Sequence, residues 1–360
     1  MILLPLIISF IISFLISFLI IKYGHLHQKF SYDHDLTGVQ KFHTESTPRI
    51  GGVSLLIGLF FGFFIIESSS LPLLILISLL PVLIIGLSED ITKSIPPSIR
   101  LVFSFFTAII AIILLDISLP SIGWEWFDLN ILNIKALSIL ITIIMIAGVS
   151  HSTNIIDGFN GLLLGYSQIV LFVLLWVAIQ TEDSLIVSIV LSSIGSIAGI
   201  FLFNFPKAKI FTGDGGAYLI GALMSIICLM LVNRNDEVSP WFALLIMSYP
   251  VFETFFSIYR KKFLRNISPG VPDGIHLHML KYKRVAPLLM GKRNRDYKRN
   301  AISSVLIWIF ITPSILPALF WWNNNLIMIC SIILFCIYYL WVYFSIIRFK
   351  FGLGSKNINE

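Results

Sequence analysis

Residues 71–93 read LPLLILISLLPVLIIGLSEDITK, and this stretch decides the fold class. Its first 17 residues, 71–87, contain no charged side chain, and Glu89 and Asp90 follow almost at once. A bilayer core about 30 Å thick is crossed by roughly 17 to 25 mostly apolar residues in a helix. The stretch therefore predicts a membrane-spanning helix that ends in a pair of carboxylates.

The rest of the chain repeats this pattern. Eleven apolar runs occur in its 360 residues, at approximately 2–21, 51–66, 71–87, 99–115, 136–148, 161–179, 185–203, 215–232, 240–259, 301–320 and 326–347. Charged residues make up only 12% of the chain, about half the fraction typical of soluble domains, and the mean hydropathy is +0.92. This composition excludes a soluble globular enzyme, and its high hydrophobicity excludes a disordered chain. We predict an all-α polytopic membrane protein with about eleven transmembrane helices, forming a single membrane-embedded domain over residues 1–360.

The distribution of Lys and Arg predicts the orientation of the helices. Of the 25 Lys and Arg residues, 23 fall after odd-numbered runs, and only Lys135 and Arg234 lie on the other side. Cytoplasmic loops are enriched in Lys and Arg, so we expect the N-terminus outside and the C-terminus in the cytoplasm. The basic cytoplasmic loop 260–300 alone holds twelve of these residues. The same asymmetry accounts for the net charge of +6 without nucleic-acid binding.

Polar clusters interrupt the apolar pattern at the predicted cytoplasmic ends of the helices. Glu89 and Asp90 are adjacent, and Lys93 follows three residues later. Adjacent carboxylates repel each other unless a cation or water relieves them, and Mg²⁺ prefers oxygen ligands. The pair is either a solvated helix end or part of a magnesium site in which Lys93 meets a phosphate.

A second cluster has three polar residues at intervals of three. Asn154, Asp157 and Asn160 would share one side of a helical path. Such a row could serve a metal, a sugar hydroxyl or a nucleobase, or it could simply begin a capped helix beside a turn.

Two further clusters leave their chemistry open. Asp214 precedes the eighth apolar run and is either a helix cap or a metal ligand. His276 and His278 would point the same way in an extended segment and could be half a zinc site, a phosphate clamp or an interfacial surface. Further ligands with zinc-site spacing do not occur near them.

These motifs, taken in order, resemble those of a known family. They are Thr47-Pro-Arg49-Ile-Gly-Gly52, Glu89-Asp-Ile-Thr-Lys93, Asn154-Ile-Ile-Asp157-Gly-Phe-Asn160-Gly-Leu162, Asn204 with the turn Phe211-Thr-Gly-Asp214, and His276-Leu-His278. Their order and spacing are similar to those of the polyprenyl-phosphate N-acetylhexosamine-1-phosphate transferases, which form glycosyltransferase family 4. The helix count resembles the sugar-nucleotide branch, which includes undecaprenyl-phosphate GlcNAc-1-phosphate transferase.

The resemblance implies a function. It is the transfer of a HexNAc-type sugar 1-phosphate from a UDP-N-acetylhexosamine to undecaprenyl phosphate, with release of UMP, at the cytoplasmic face of a bacterial inner membrane. It implies Mg²⁺ as cofactor, with Mn²⁺ as a substitute, and membrane lipid as a partner. A homodimer is compatible with the sequence, which does not determine the oligomeric state, the sugar or the glycan.

The resemblance also implies roles for individual residues. The implied catalytic residues are Glu89, Asp90, Asp157 and Asp214, with Asp90 and Asp214 as metal ligands. The implied substrate-binding residues are Arg49, Lys93, Asn154, Asn160, Asn204, Phe211, His276 and His278, with Phe211 stacked on the uracil. The chain departs from the family pattern at three positions: Glu89 replaces Asp, Asn160 replaces an acidic residue, and Met279 replaces a third His.

Two other classes of protein compete with this interpretation. An ion-coupled secondary transporter would place ionisable groups in mid-helix and often contains an inverted repeat. The sequence shows no repeat, and its acidic residues lie mostly near helix ends. A non-catalytic membrane scaffold would leave the clustering of carboxylates on one face unexplained.

Overall fold

The computed structural model of the chain describes residues 2–33, 46–66, 70–268, 270–271, 273–290 and 297–353. The α-helices are α1 (Leu4–Lys22), α2 (Gly24–Ser31), α3 (Gly51–Phe64), α4 (Leu71–Thr92), α5 (Pro97–Leu115), α6 (Glu125–Phe127), α7 (Lys135–Ile156), α8 (Leu162–Gln180), α9 (Ser184–Asn204), α10 (Gly213–Arg234), α11 (Pro240–Ile246), α12 (Ser248–Tyr259), α13 (Leu277–Leu280), α14 (Ala286–Met290), α15 (Tyr297–Phe310), α16 (Thr312–Phe320) and α17 (Asn325–Leu353). Short π-helical turns occupy Asp128–Leu132, Arg260–Leu264 and Lys281–Val285. Strands β1 (Tyr32–Asp33) and β2 (Thr47–Pro48) pair antiparallel, with Tyr32 opposite Pro48 and Asp33 opposite Thr47.

The helices confirm an all-α polytopic membrane protein. Among the described residues, nine helical segments are long and apolar enough to span a membrane, with α15 and α16 counted together. Helix α11 and the segment Ser248–Leu264, which begins with α12, are apolar enough together but are bent by 71°, as in a broken span or a re-entrant loop. Helix α3 coincides with the second predicted run but has only 14 residues, fewer than a full crossing needs. The orientation of these helices in the membrane stays a prediction.

Helix α10 lies at the centre of the protein. Residues 215–232 of this helix are all buried, and α10 packs against α3, α4 and α7. Glycines allow the helix backbones to touch, as is common between membrane helices. A Cβ on Gly86 of α4 would overlap Gly215, and a Cβ on Gly52 of α3 would lie 2.6 Å from the backbone nitrogen of Gly216. The N-terminal end of α10 therefore meets both the N-terminal end of α3 and the C-terminal end of α4.

Candidate active site

Two motifs that are distant in the sequence are joined by backbone hydrogen bonds. The N–H of Phe211 donates to the carbonyl of Pro48 at 2.8 Å. The N–H groups of Gly51 and Gly52 donate to the carbonyls of Phe211 and Thr212, at 3.1 and 3.0 Å. A Cβ on Gly51 would lie 2.5 Å from the Phe211 carbonyl oxygen, so this approach needs glycine. The segment before α3 and the turn before α10 thus form one frame.

Asp90 caps the helix that follows this turn. Its Oδ1 accepts the N–H of Asp214 at 2.9 Å, and its Oδ2 accepts the N–H of Gly215 at 3.0 Å. A carboxylate at a helix N-terminus satisfies free N–H groups and meets the positive end of the helix dipole. The side chain that caps α10 is therefore Asp90, while the Asp214 carboxylate points elsewhere.

Two arginines hold the Asp214 carboxylate. Nη2 of Arg49 lies 3.2 Å from Oδ1 of Asp214 and 3.4 Å from Oδ1 of Asp90, and Nη1 lies 3.7 Å from Oδ2 of Asp33. Arg100, at the start of α5, donates to the other oxygen of Asp214. Asp90, Asp214, Arg49, Arg100 and Asp33 form what we call the carboxylate–arginine cluster. Because it holds three acids and two arginines, it balances most of its own charge.

The site residues predicted from the sequence do not include Arg100 or Asp33. Arg100 carries a signal that could have identified it, since it is a charged residue just inside an apolar run and such residues are rare and often functional. Asp33 has no comparable signal because it lies in a polar stretch whose pairing with β2 appears only in three dimensions.

In the part of the chain that the structure describes, Glu89 and Lys93 form no ion pair with each other, and each has other partners. Oε2 of Glu89 accepts the N–H of Ile95 at 2.7 Å and so stabilises the turn after α4. Nζ of Lys93 lies 3.5 Å from Oδ1 of Asp33 and donates to the carbonyl of Tyr32 at 3.3 Å. Lys93 thus joins the edge of the cluster, whereas a contact between Glu89 and a metal stays a prediction.

The prediction that Asn154, Asp157 and Asn160 share one side of a helix is wrong, because only Asn154 lies in α7. Helix α7 ends at Ile156, so Asn154 lies on its last turn and Asp157 lies outside the helix. The half-buried Asp157 carboxylate receives no hydrogen bond from the described residues. Burial, and then the nearby charge of Asp214, raise the pKa of Asp157 to about 7. Asp157 is therefore an unpaired acid beside the carboxylate–arginine cluster.

Two asparagines join the neighbouring loops. Oδ1 of Asn204 accepts the N–H of Gly161 at 2.5 Å, and its Nδ2 donates to the carbonyl of Ile210 at 2.7 Å. Nδ2 of Asn160 donates to the carbonyl of Pro206 at 3.0 Å. These contacts give both amides a structural role, and a contact with substrate stays a prediction for each.

The two histidines approach the same loop from the other side. His276 precedes α13 and His278 lies in it, so the segment is not extended, yet the two rings stack with centroids 5.4 Å apart. Nδ1 of His278 lies 3.3 Å from the hydroxyl of Tyr249, and its buried Nε2 has no hydrogen-bond partner among the described residues. A Cβ on Gly158 would lie 3.2 Å from this Nε2. The free nitrogen of His278 therefore faces the residue that follows Asp157.

The carboxylates of this site suit magnesium better than zinc. Among the described residues, no group of three or more His, Cys, Asp or Glu is arranged to hold a metal ion. Mg²⁺ does not need such a group, because it is usually held by one or two carboxylates together with water and substrate phosphates. Among the described residues, Asp157 has an unpaired carboxylate, the partly exposed Asp214 has its two oxygens on Arg49 and Arg100, and the buried Asp90 has both oxygens on backbone N–H groups. Carboxylate oxygens fit Mg²⁺, and a metal contact stays a prediction for each of the three.

Comparison with known proteins shows which family the chain is similar to. Residues 72–232 match the model of glycosyl transferase family 4. The matched region contains Asp90, Asp157 and Asp214. The family resemblance carried by the sequence motifs is thereby confirmed.

Individual relatives are bacterial proteins. The chain is 27% identical over 246 residues to the probable undecaprenyl-phosphate N-acetylglucosaminyl 1-phosphate transferase of Bacillus subtilis, a match covering 66% of each chain. It is 27% identical over 245 residues to the undecaprenyl-phosphate alpha-N-acetylglucosaminyl 1-phosphate transferase of Thermotoga maritima, covering 66% of this chain and 69% of the relative. It is 44% identical over 86 residues to the phospho-N-acetylmuramoyl-pentapeptide-transferase of Leuconostoc mesenteroides, covering 24% of this chain and 27% of the relative.

Proposed function

We propose that this protein transfers a HexNAc-type sugar 1-phosphate from a UDP-sugar to undecaprenyl phosphate, giving undecaprenyl-diphosphate-sugar and UMP. In a bacterial cell this reaction would initiate a cell-surface glycan. The names of the Bacillus and Thermotoga relatives support undecaprenyl phosphate as the acceptor and a sugar 1-phosphate as the group transferred. The observation that carries the proposal is the position of Asp214 between Arg49 and Arg100, beside the unpaired carboxylate of Asp157.

The basic residues of the site suit a reaction between phosphates. Phosphoryl transfer needs mainly positioning and neutralisation of negative charge. Arg49, Arg100 and Lys93 all lie within the carboxylate–arginine cluster or at its edge, where they could exchange a carboxylate partner for a phosphate oxygen. A phosphate monoester has a second pKa of about 6, so the acceptor is largely dianionic at neutral pH and needs no strong base.

Mg²⁺ would be held by Asp214 and Asp157, with Asp90 orienting the turn that carries Asp214. When bound, the ion would withdraw negative charge from the diphosphate as UMP departs. Asp90 acts through the backbone of Asp214 and Gly215, so it would fix the direction of the metal ligand. Phe211, whose backbone is held by Pro48 and Gly51, would stack its half-buried ring on the uracil.

The proposed site lies at helix ends, where both substrates are accessible. A lipid tail would keep the acceptor phosphate at the membrane surface, and a nucleotide sugar is supplied in the cytosol. The Lys and Arg distribution supports a cytoplasmic site in the bacterial inner membrane.

The experiment that tests this proposal measures UMP release by the purified chain. The chain in detergent or nanodiscs receives undecaprenyl phosphate and, one at a time, UDP-GlcNAc, UDP-GalNAc and deoxy-amino sugar donors. We expect UMP release that depends on the lipid with at least one donor. The Asp214→Asn variant is the matched control, since it keeps the side-chain shape but removes the charge.

Absence of lipid-dependent UMP with every donor, from protein whose folding is verified by thermal melting, would contradict the proposal. In that case uptake of labelled solutes by proteoliposomes would test the transporter alternative.

A further inference from the structure

We propose that Glu253 is a positioning residue: it holds His276, and through His276 it places the free nitrogen of His278 beside the loop that carries Asp157. The inference rests on the proposed function and deepens it. Glu253 was not among the predicted site residues, and it lies on α12, within the bent pair of α11 and α12.

Glu253 makes three close contacts although it is completely buried. Its Oε1 lies 2.8 Å from Nδ1 of His276. Its Oε2 accepts the N–H of Leu277 at 3.2 Å and the hydroxyl of Tyr339 at 2.6 Å. An unpaired buried charge is strongly destabilising, above all in a membrane segment, so a carboxylate there needs donors. The three donors satisfy Glu253 only while the histidine loop is docked on α12.

His276 is held between two carboxylates. Its Nδ1 contacts Glu253, and its Nε2 lies 3.4 Å from Oδ1 of Asp273. A carboxylate only accepts hydrogen bonds, so Nδ1 of His276 donates to Glu253. Asp273 is paired in turn with the buried Arg260 at 3.0 Å. Both nitrogens of His276 therefore lie against carboxylates of the protein, which argues for an indirect role.

The same face of α12 also holds the second histidine. Tyr249 and Glu253 are four residues apart, so they are neighbours on one side of the helix. Tyr249 contacts Nδ1 of His278, and Glu253 contacts Nδ1 of His276. The two parallel rings are therefore fixed as a unit, with the ring planes within 6° of each other. A shift of His276 would move His278 as well.

Helix α17 supports this arrangement from behind. The hydroxyl of Tyr339 donates to Glu253, and the hydroxyl of Tyr343, one turn later, donates to the carbonyl of Ile275 at 3.2 Å. Tyr339 thus donates to one oxygen of Glu253, and His276 contacts the other oxygen. This geometry provides a control that separates the anchoring of α17 from the placement of the histidines.

The test compares Glu253→Gln with Tyr339→Phe in the full-length protein. Gln keeps the size of Glu, and its oxygen can still accept hydrogen bonds from Leu277 and Tyr339. Its NH₂ group, however, cannot accept a hydrogen bond from His276. We expect Glu253→Gln to melt within about 2 °C of the native chain, to change the KM of at least one substrate by about 5-fold or more, and to lower kcat/KM by at least about 10-fold. Tyr339→Phe should keep both KM values within about 2-fold.

Nitrogen-15 NMR of histidine-labelled protein gives a readout that does not depend on activity. In the native chain and in Tyr339→Phe, the Nδ1 signal of His276, assigned with His276→Gln, should have the chemical shift of a nitrogen that donates a hydrogen bond to a carboxylate. In Glu253→Gln this signal should lose that shift. If Glu253→Gln does not fold, Glu253→Asp carries the same test, because it keeps the charge but shortens the reach to His276.

Two results would overturn the inference. In the first, Glu253→Gln has the KM values and the histidine signals of the native chain. In the second, Tyr339→Phe changes the KM values and the histidine signals as much as Glu253→Gln does. If the native chain releases no UMP with any donor, the proposed function fails, whereas the histidine signals still decide whether Glu253 holds His276.

Discussion

The side chain of Asp90 accepts the backbone N–H of Asp214, 2.9 Å away, although the two residues are 124 positions apart in the chain. This bond and its neighbour at Gly215 fix the start of α10 against the end of α4. The two acids that the sequence assigned to one metal therefore have different surroundings: Asp90 faces a helix N-terminus, and Asp214 faces two arginines.

The first prediction separates the roles of these two acids. Asp90→Asn replaces one acceptor oxygen by an NH₂ group that faces a backbone N–H, so we expect a lower melting temperature and at least about a 100-fold loss of turnover. Asp214→Asn should lose turnover by a similar factor but melt close to the native chain. UMP release and thermal melting measure the two effects. Equal melting temperatures for both variants would contradict the capping role of Asp90.

The second prediction concerns the metal. Removal of divalent cations with EDTA should abolish UMP release, and added Mg²⁺ or Mn²⁺ should restore it, because the proposed ligands are carboxylate oxygens. Asp157→Asn should raise the Mg²⁺ concentration needed for half-maximal rate by about 10-fold or more. Asp157→Glu, which keeps a carboxylate at this position, serves as the control for general changes in the loop. Full activity in EDTA would remove the metal from the mechanism.

The third prediction concerns the packing of α4 on α10. Gly86→Ala should strongly lower the melting temperature, because its Cβ would overlap the backbone of Gly215 and neither backbone can move aside. Gly148→Ala in α7 is the matched control, since a Cβ there meets nothing within 4 Å. This control should be neutral or stabilising by up to about 1 kcal/mol. Similar melting of both variants would mean that the close approach of α4 and α10 is not needed.

The fourth prediction follows from the protonation of His278. Burial, and then His276, lower the pKa of His278 to about 3, although Glu253 and Asp273 act in the opposite direction. The unfolded chain has a histidine pKa of about 6.5, so between these pH values it binds a proton that the native state excludes. Stability should therefore fall as the pH drops from about 6.5 toward 3.

Thermal melting between pH 7 and pH 5 measures this effect, and His278→Gln is the control because it cannot take up a proton. The native chain should lose more stability than the variant over this range. Equal pH dependence in the two proteins would contradict a buried neutral His278.

The fifth prediction concerns orientation in the membrane. In a variant with Cys228, Cys330 and Cys336 replaced, a cysteine at the exposed Thr92 should react from outside the cell only with a membrane-permeant reagent. A cysteine at the exposed Glu182, between α8 and α9, should react with an impermeant one. The reverse pattern would invert the predicted topology.

The sequence by itself determined the class of the fold. Apolar runs of membrane length reveal helices because each run satisfies its backbone hydrogen bonds within itself, so no distant partner is needed to predict it. The motifs at the ends of these runs also predicted the resemblance to glycosyl transferase family 4, which the match over residues 72–232 confirmed.

Only the tertiary structure decided how the motifs meet. Arg100 and Asp33 entered the site, Asp90 became the cap of α10, and Glu253 joined the histidines, because each contact links segments that are far apart in the chain. The predicted helical row at Asn154 ended at Ile156, since the backbone leaves the helix at Asp157. Local periodicity describes which residues share a helix. Long-range hydrogen bonds and ion pairs depend instead on how the helices pack against each other. That packing is not encoded in any local pattern of a single sequence.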